Sequence, residues 1–339
     1  MKAAVIEPDE NGRTLRVRDV DEPTMGPLDI LVAVHAAALN RADLRRAASH
    51  FASSDGTRGA SIGGLEMAGV VMEVGDDVDG FEVGDRVMAM AGGSWAERVS
   101  LDHRLALPVP RGFDWHQAAA TPISFMTAYD ALSEAAGLTA GESVLVHGAS
   151  SSAGIAAVQL ARVMGAEIVF GTSTAKWKMA RLRELGCHAL EANADDLALK
   201  VYELTNGLGV NIVIDIVGQG AVQQNIDAAA VGARIICLGR LAGVQGTFNL
   251  DEFSRKRIHM IGVTFRTRTL SERFLVVSRF RDQMIPRLEA GTVQPVIDRS
   301  FPLEAVEEAE IYMKSNHGFG KVIIDLNTEQ SSPPMGDNF

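Results

Sequence analysis

A turn made only of small residues, at positions 148–154, could bind a diphosphate group. It reads Gly-Ala-Ser-Ser-Ser-Ala-Gly and connects a predicted strand to a predicted helix. Backbone N–H groups and the positive dipole end at the start of such a helix bind diphosphates. Of the glycines in the pattern Gly-x-Gly-x-x-Gly only Gly154 is present, so the motif is weak and its serines could merely cap the helix. We predict that Ser151, Ser152, Ala153 and Gly154 bind a dinucleotide.

The end of the next predicted strand indicates which dinucleotide would bind. An NAD-binding fold carries Asp or Glu about 20 residues after the glycine turn, where it accepts bonds from the ribose hydroxyls. Here hydroxyl groups and lysines follow instead, in Thr172, Ser173, Lys176 and Lys178. These groups could accommodate and neutralise a 2′-phosphate, so NADPH is favoured over NADH. We expect at least one of the two lysines to lie on a solvated helix face instead.

The elements around this turn alternate between strands and helices. Apolar runs at residues 143–148, 167–171, 211–218, 233–239 and 258–265 predict strands, with helices at 153–165, 175–186 and 223–230 between them. Parallel strands need helical crossovers, so this part of the chain predicts a doubly wound parallel sheet of the Rossmann type in an α/β fold.

The flanking segments predict a different, β-rich body. Short alternating runs within residues 3–39 and 67–101 predict an antiparallel sheet or barrel. Residues 115–137 and 271–288 predict helices, and the chain then continues through a Pro-punctuated segment (293–302) to a helix (303–315) and a strand (321–326). We expect the polar tail that follows to be disordered.

The composition excludes several classes of protein. With 339 residues, 47% of them hydrophobic, the chain is large enough for two globular domains. Its net charge of −11 argues against a nucleic-acid or anionic-membrane binder. We expect a cytoplasmic protein, because no apolar run of about 18 residues and no signal peptide occur. The two cysteines, Cys187 and Cys237, exclude a disulfide framework and a cysteine-rich zinc site.

Segments spread over nearly the whole chain resemble the medium-chain dehydrogenase/reductase superfamily, in its zinc-free quinone oxidoreductase branch of the zeta-crystallin-like and stress-inducible type. The resemblance is carried together by ALNRADL (38–44), GLEMAGVVMEVG (64–75), VGDRVMAM (83–90), GGSWAERV (92–99), AAATPISFMTAYDAL (118–132), GVNIVIDIVG (209–218) and GFGKVIIDL (318–326). It implies a GroES-like barrel substrate domain at 1–122 and 292–339 around a Rossmann NADPH-binding domain at 123–291. It also implies a homodimer or tetramer that pairs through the strand at 258–264, unless a loop covers that edge.

The resemblance also carries an expectation about metal. Where zinc alcohol dehydrogenases place a Cys, a His and a second Cys, this sequence has Asn40, Leu65 and Ile123. Leucine and isoleucine have no ligand atom, so we expect no catalytic zinc. Alcohol oxidation without a Lewis acid is unfavourable, whereas hydride delivery to a quinone or an α,β-unsaturated carbonyl remains feasible.

The same resemblance implies that Asn40, Asp43 and Thr127 are catalytic residues. It also implies a substrate pocket lined by Arg45, Phe51, Phe265 and Arg266. Further cofactor contacts fall to Val217, Gly239, Leu241 and Lys321. Asn40 could offer its amide NH₂ to the acceptor oxygen, while Asp43 could instead orient the loop backbone. Arg45 could simply be exposed, and Lys321 could be a surface lysine.

Two other functions stay open. An enoyl-thioester reductase of the acryloyl-CoA type would need positive charge for a carrier's phosphates, for which Arg45, Arg46, Arg266 and Arg268 are candidates. A non-catalytic NADPH-binding protein would bind the cofactor without turnover. We expect a small-molecule substrate and no nucleic-acid or membrane partner.

Overall fold

The computed structural model describes residues 1–7, 13–45 and 61–326. The strands are β1 (Lys2–Glu7), β2 (Thr14–Asp19), β3 (Asp29–Ala38), β4 (Ser61–Ile62), β5 (Met67–Val74), β6 (Arg86–Ala89), β7 (Arg98–Asp102), β8 (Ala106–Pro108), β9 (Ser143–His147), β10 (Ile168–Ser173), β11 (His188–Glu191), β12 (Val210–Asp215), β13 (Ala229–Cys237), β14 (His259–Gly262), β15 (Ile297–Pro302) and β16 (Lys321–Asp325). The helices are α1 (Trp115–Ala119), α2 (Pro122–Tyr129), α3 (Ser152–Val163), α4 (Lys176–Glu184), α5 (Leu197–Leu204), α6 (Val222–Ala228), α7 (Leu250–Arg255), α8 (Leu270–Glu289) and α9 (Val306–Lys314).

A doubly wound parallel sheet lies at the centre of the fold, as predicted. Its strand order is β11-β10-β9-β12-β13-β14, and every neighbouring pair is parallel. All residues of β9 are buried, which explains its unbroken apolar sequence before His147. The chain leaves β9 in one direction and β12 in the other. The carboxyl ends of these two strands therefore flank the crevice in which such sheets bind ligands.

A second sheet forms the GroES-like body that the sequence predicted. Its order is β15-β16-β3-β5-β6-β8, with β7 also paired to β3, and a three-stranded sheet β2-β1-β4 accompanies it. Its neighbours are antiparallel except for β15 and β16. Because β16 pairs with β3, with Ile323 opposite Ala38, strands from the first and the last 50 residues of the described chain contribute to one sheet. The domain boundaries at 122/123 and 291/292 stay a prediction.

Several elements differ from the sequence-based expectation. The helix predicted over 115–137 is divided into three elements. It ends first at Ala119 and begins again at Pro122, since proline is favoured in the first turn of a helix. It then continues as a π-helical turn over Asp130–Ala135. β14 ends at Gly262 rather than at residue 265. The elements β11, α5, α7 and β15 were not predicted, since each is short and carries few fully buried residues.

Candidate active site

A cleft of about 510 Å³ opens at the carboxyl ends of the parallel strands and extends to the β3–β4 segment. The predicted site residues that line it are Asn40, Ser151, Ser152, Thr172, Ser173, Lys178, Val217 and Leu241. Residues from the C-terminal part, among them Asp298, Asn316 and Gly320, close it from the other side. One cleft therefore joins the predicted dinucleotide turn to the predicted substrate loop.

The turn before α3 is shaped by glycine and serine. Gly148 has φ +71°, which only glycine adopts without strain, and the Ser151 hydroxyl accepts a bond from Gly154 N as the N-cap of α3. A Cβ on Gly154 would lie 2.4 Å from the carbonyl oxygen of Gly148. The single glycine that matches the motif is thus the one that allows α3 to pack against its own turn. Ala153 and Gly154 support the turn without lining the cleft.

The carboxyl end of β10 contributes hydroxyls and one lysine. The Thr172 hydroxyl is buried and turned toward the backbone, 3.3 Å from Gly148 N, and the Ser173 hydroxyl accepts a bond from Ala175 N. The Lys178 ammonium donates to the carbonyl oxygen of Asn316 at 2.6 Å, and burial lowers its pKa. Lys178 therefore lies in the cleft, whereas Lys176 is exposed on α4.

The opposite wall follows β12 and β13. Asp215 Oδ1 accepts bonds from Val217 N and Gly218 N, which fixes the loop that brings Val217 to the cleft. Gly239 does not line the cleft. A Cβ there would lie 2.2 Å from Ile216 O, so its lack of a side chain allows two loops to approach each other.

Asn40 belongs to a buried network that the sequence did not reveal. The Lys321 ammonium donates to Asn40 Oδ1 at 2.8 Å and to Glu66 Oε1 at 2.7 Å, and Asn40 Nδ2 donates to the same Glu66 oxygen at 2.9 Å. Glu66 Oε2 accepts a bond from Ile123 N. Lys321 is 1% exposed, so it lies beneath the cleft rather than in it. Glu66 was missed because an isolated glutamate in a sequence usually lies on a surface.

Asp43 orients the Asn40 loop through hydrogen bonds to the Asn40 backbone. Its Oδ2 accepts a bond from Asn40 N at 2.7 Å, and its own N–H donates to Asn40 O. The side chain is buried, and desolvation raises the pKa of this carboxyl to about 8. The structure thus favours the loop-orienting role that the sequence left open.

Other predicted site residues lie away from the cleft. Thr127 is half-buried on α2, and Arg266 is exposed after β14. Phe265 is buried beside a separate small cavity. The nearby Arg268 is paired with the buried Asp130 at 2.7 Å, so its charge is already neutralised. Phe51 and the Arg45 side chain lie outside the described part of the chain.

Among the lining residues that the sequence did not single out are His147, the last residue of β9, and Asp298, just inside β15. Burial lowers the pKa of His147 to about 4, against the opposing effect of Asp215, so the imidazole is neutral at pH 7. The sequence could have indicated His147, because it ends a buried strand, Ser-Val-Leu-Val-His, in which it is the one titratable residue.

Within residues 1–7, 13–45 and 61–326, no cluster of three or more His, Cys, Asp or Glu side chains could hold a metal ion. At two of the positions where zinc alcohol dehydrogenases carry their ligands, Leu65 is buried and Ile123 is half-buried. In the same part of the chain no helix is both long and apolar enough to cross a membrane.

Comparisons with known proteins agree with this architecture. Two family models match the chain, an alcohol dehydrogenase GroES-like domain at residues 26–111 and a zinc-binding dehydrogenase at residues 153–280. Quinone oxidoreductase of Rattus norvegicus is 30% identical, with 91% of this chain and 92% of that protein covered. The JamJ enoyl reductase structure superposes with a TM-score of 0.80 at 25% identity, covering 96% of this chain and 99% of that one.

Much longer proteins are also similar. Spectinabilin polyketide synthase system protein NorB of Streptomyces orinoci is 31% identical over 92% of this chain. The chain spans only 11–14% of the lengths of NorB and the other polyketide synthase relatives that it matches.

Proposed function

Since the chain belongs to the medium-chain dehydrogenase/reductase superfamily, as a quinone oxidoreductase-like member, we propose that it is a zinc-independent reductase. It uses NADPH to reduce quinones or α,β-unsaturated carbonyl compounds. The single observation that carries this proposal is the cleft shared by the turn before α3 and the Asn40 loop. A dinucleotide held at one end of this cleft would present its reactive end to an acceptor at the other.

The cleft fits a dinucleotide in two respects. The tight packing at Gly154 brings the start of α3, with its backbone N–H groups, to the edge of the cleft. In addition, the buried Nε2 of His147, a residue that lines the cleft, has no hydrogen-bond partner among residues 1–7, 13–45 and 61–326. When bound, NADPH would supply the hydride. Ser151, Ser152, Val217 and Leu241 would hold its diphosphate and flanking parts.

The choice of NADPH rests on charge at the carboxyl end of β10. Ser173, Thr174 and Lys178 line this end, where the fold places the adenosine ribose. Asp298 is the only acid among the described residues that line the cleft. Its charge partly opposes the burial that lowers the pKa of the Lys178 ammonium. We propose that Lys178 contacts the 2′-phosphate and that Asp298 weakens this preference without reversing it.

The buried ion pair supports zinc-independent chemistry. The side chains of Leu65 and Ile123 offer no metal-ligand atom. The neighbouring Glu66 carboxylate already accepts bonds from Ile123 N and from the Lys321 ammonium. Glu66 uses one hydrogen of the Asn40 amide, and the other has no partner among the described residues. We propose that Asn40 donates this second hydrogen to the acceptor oxygen, while Asp43 and Lys321 position it.

A second candidate is an enoyl-thioester reductase, which the similarity to the JamJ enoyl reductase favours. Both functions deliver a hydride to an electron-poor acceptor. They differ because an enoyl-thioester reductase must also provide space and positive charge for the phosphates of the thioester's carrier. Arg268 contributes little to that charge, because Asp130 neutralises it.

We also propose a homodimer that pairs through β14. This strand is the edge of the parallel sheet, and its residues are exposed or half-buried, including Met260 at 39%. Analytical ultracentrifugation of the full chain would test this pairing.

The decisive experiment measures NADPH oxidation with a benzoquinone, a simple enone and an enoyl-CoA, before and after dialysis against a chelator. We expect turnover of the quinone or enone that survives dialysis. Faster turnover of the enoyl-CoA would favour the second candidate. Saturable NADPH binding with no turnover of any acceptor would favour a non-catalytic role, and loss of activity restored by zinc would contradict the proposal.

A further inference from the structure

A buried imidazole nitrogen of a cleft-lining residue has no hydrogen-bond partner within the described part of the chain. His147 is 1% exposed and lines the cleft at the end of β9. Its Nδ1 lies 3.1 Å from Thr172 Oγ1, while its Nε2 is buried and has no hydrogen bond to any described residue. Buried polar atoms are almost always bonded. An unbonded nitrogen at the wall of a binding cleft therefore points to a ligand atom that completes it.

The hydrogen bonds around Thr172 assign the tautomer of this imidazole. Thr172 Oγ1 accepts a bond from Gly148 N, and the only acceptor that its own hydroxyl hydrogen can reach among the described residues is His147 Nδ1. If Thr172 donates to Nδ1, only the Nε2–H is left without a partner. If Nδ1 donated to Thr172 instead, both the threonine hydroxyl hydrogen and the Nε2 lone pair would lack a hydrogen-bond partner among the described residues. The first arrangement leaves fewer unsatisfied groups, so Nε2 carries the hydrogen.

The neighbouring acid does not take this hydrogen. Asp215, the residue of β12 beside His147, uses Oδ1 for Val217 N and Gly218 N, and Oδ2 for Asn225 Nδ2. Burial also keeps the imidazole neutral at pH 7, since it lowers the pKa of His147 to about 4. Nε2–H is therefore a neutral, directional donor, buried on a residue that lines the cleft.

We propose that His147 Nε2–H, held in this tautomer by Thr172, donates a hydrogen bond to an oxygen of the bound dinucleotide. The acceptor is a phosphate or a ribose oxygen, since the end of β9 adjoins the turn that begins α3. This inference rests on the proposed function. Thr172 is then a positioning residue, whose hydroxyl acts on the ligand through His147.

Titration calorimetry of NADPH into the full chain tests the bond through four variants. His147→Leu removes the donor, and we expect Kd to rise about tenfold, as for one lost hydrogen bond to a ligand. His147→Gln restores an N–H near Nε2, and its Kd should stay within about threefold of the unchanged chain. Thr172→Val removes the hydroxyl that keeps the imidazole hydrogen on Nε2, and it should raise Kd about threefold. The matched control Thr205→Val removes another buried hydroxyl, which bonds Val201 O and Gly209 N away from the cleft, and should leave Kd unchanged.

The outcomes separate this inference from the proposed function. If the unchanged chain binds neither NADPH nor NADH, the proposed function and the inference both fall. If it binds NADPH and folded His147→Leu binds equally well, the inference alone is overturned. Should His147→Leu fail to fold, Thr172→Val decides, because a purely structural role of His147 predicts no change in Kd for this variant once it is folded.

Two further measurements identify the acceptor and the tautomer. Loss of affinity in His147→Leu, or in Thr172→Val should His147→Leu fail to fold, for ADP-ribose but not for AMP would assign an oxygen of the second phosphate or of the second ribose. Loss for both would assign the adenosine half, and loss for neither would overturn the inference. Histidine ¹⁵N NMR, with the His147 signal assigned from its absence in His147→Gln, should show an unprotonated Nδ1 and a protonated Nε2. The opposite pattern would overturn it.

Discussion

The ammonium nitrogen of Lys321 lies 2.7 Å from Glu66 Oε1, and neither side chain is more than 1% exposed. The two residues come from opposite ends of the chain, at the start of β16 and just before β5. Both also bond Asn40, so the residue proposed to contact the acceptor is held by a charge pair rather than by a single neighbour. The position of Asn40 therefore depends on the pairing of β16 with β3.

Replacing Lys321 with Met should be strongly destabilising, because it leaves the Glu66 carboxylate buried without a counter-charge. We expect the free energy of unfolding to fall by about 3–5 kcal/mol, and by less in the double variant Lys321→Met/Glu66→Gln. Urea unfolding measures both. The control Arg111→Met breaks the exposed pair with Glu289 and should cost less than about 1 kcal/mol. Equal losses for Lys321→Met and Arg111→Met would show that the buried pair is unimportant.

Asp43 should make stability fall as pH rises. Its carboxyl has a pKa of about 8 in the folded chain and an ordinary value of 3.8, owing first to burial. Between these values the unfolded chain releases a proton that the folded chain keeps, so the free energy of unfolding falls by about 1.4 kcal/mol per pH unit. The charges that also act on it are Glu66, Lys321 and Glu310.

Asp43→Asn has no such proton and should lack this slope. Urea unfolding of both proteins from pH 5 to 9 gives the difference in stability, in which the effects of all other groups cancel. We expect the variant to gain on the unchanged chain up to about pH 8, after which the difference levels off. Parallel curves would contradict the raised pKa.

Gly154→Ala should disturb the dinucleotide turn. The new Cβ would lie 2.4 Å from Gly148 O, a backbone atom that can move only if α3 shifts. We expect a loss of about 1–3 kcal/mol in stability and a weaker affinity for NADPH, measured by unfolding and by calorimetry. Gly262→Ala is the control, because a Cβ there meets nothing within 4 Å. If both variants bind NADPH like the unchanged chain, the close approach at Gly154 does not shape the site.

Lys178 and Asp298 should shift the cofactor preference in opposite directions. Lys178→Ala removes the proposed partner of the 2′-phosphate, and we expect NADPH affinity to fall about tenfold with little effect on NADH. Asp298→Asn removes a negative charge from the same region and should increase the preference for NADPH. Dissociation constants for both cofactors give the ratio directly. A variant Lys178→Ala that loses affinity for both cofactors equally would assign Lys178 a structural role through Asn316.

The sequence predicted those parts of the fold whose signal is local. β9, β12 and β13 are buried apolar runs, and the small residues between β9 and α3 mark their turn. β11 and α7 were missed because residues 188–191 and 250–255 have only short or exposed patterns. Their positions follow from packing against neighbouring elements, which no local periodicity reports.

The site was predictable only where one segment forms it. Ser151, Ser152 and Thr172 follow from the strand–turn–helix pattern. Glu66 and Lys321 are 255 residues apart, so their pairing appears only when β16 joins β3. The family pattern predicted a cofactor contact for Lys321, but this lysine is buried outside the lining of the cleft and bonds Asn40 and Glu66 instead.

Direct titration of the unchanged chain with NADPH and with NADH tests whether this cleft binds a phosphorylated dinucleotide. We predict saturable binding of one NADPH per chain, with NADH bound about tenfold more weakly for want of the 2′-phosphate contact. Correctly folded protein that shows no saturable affinity for either cofactor would contradict the account.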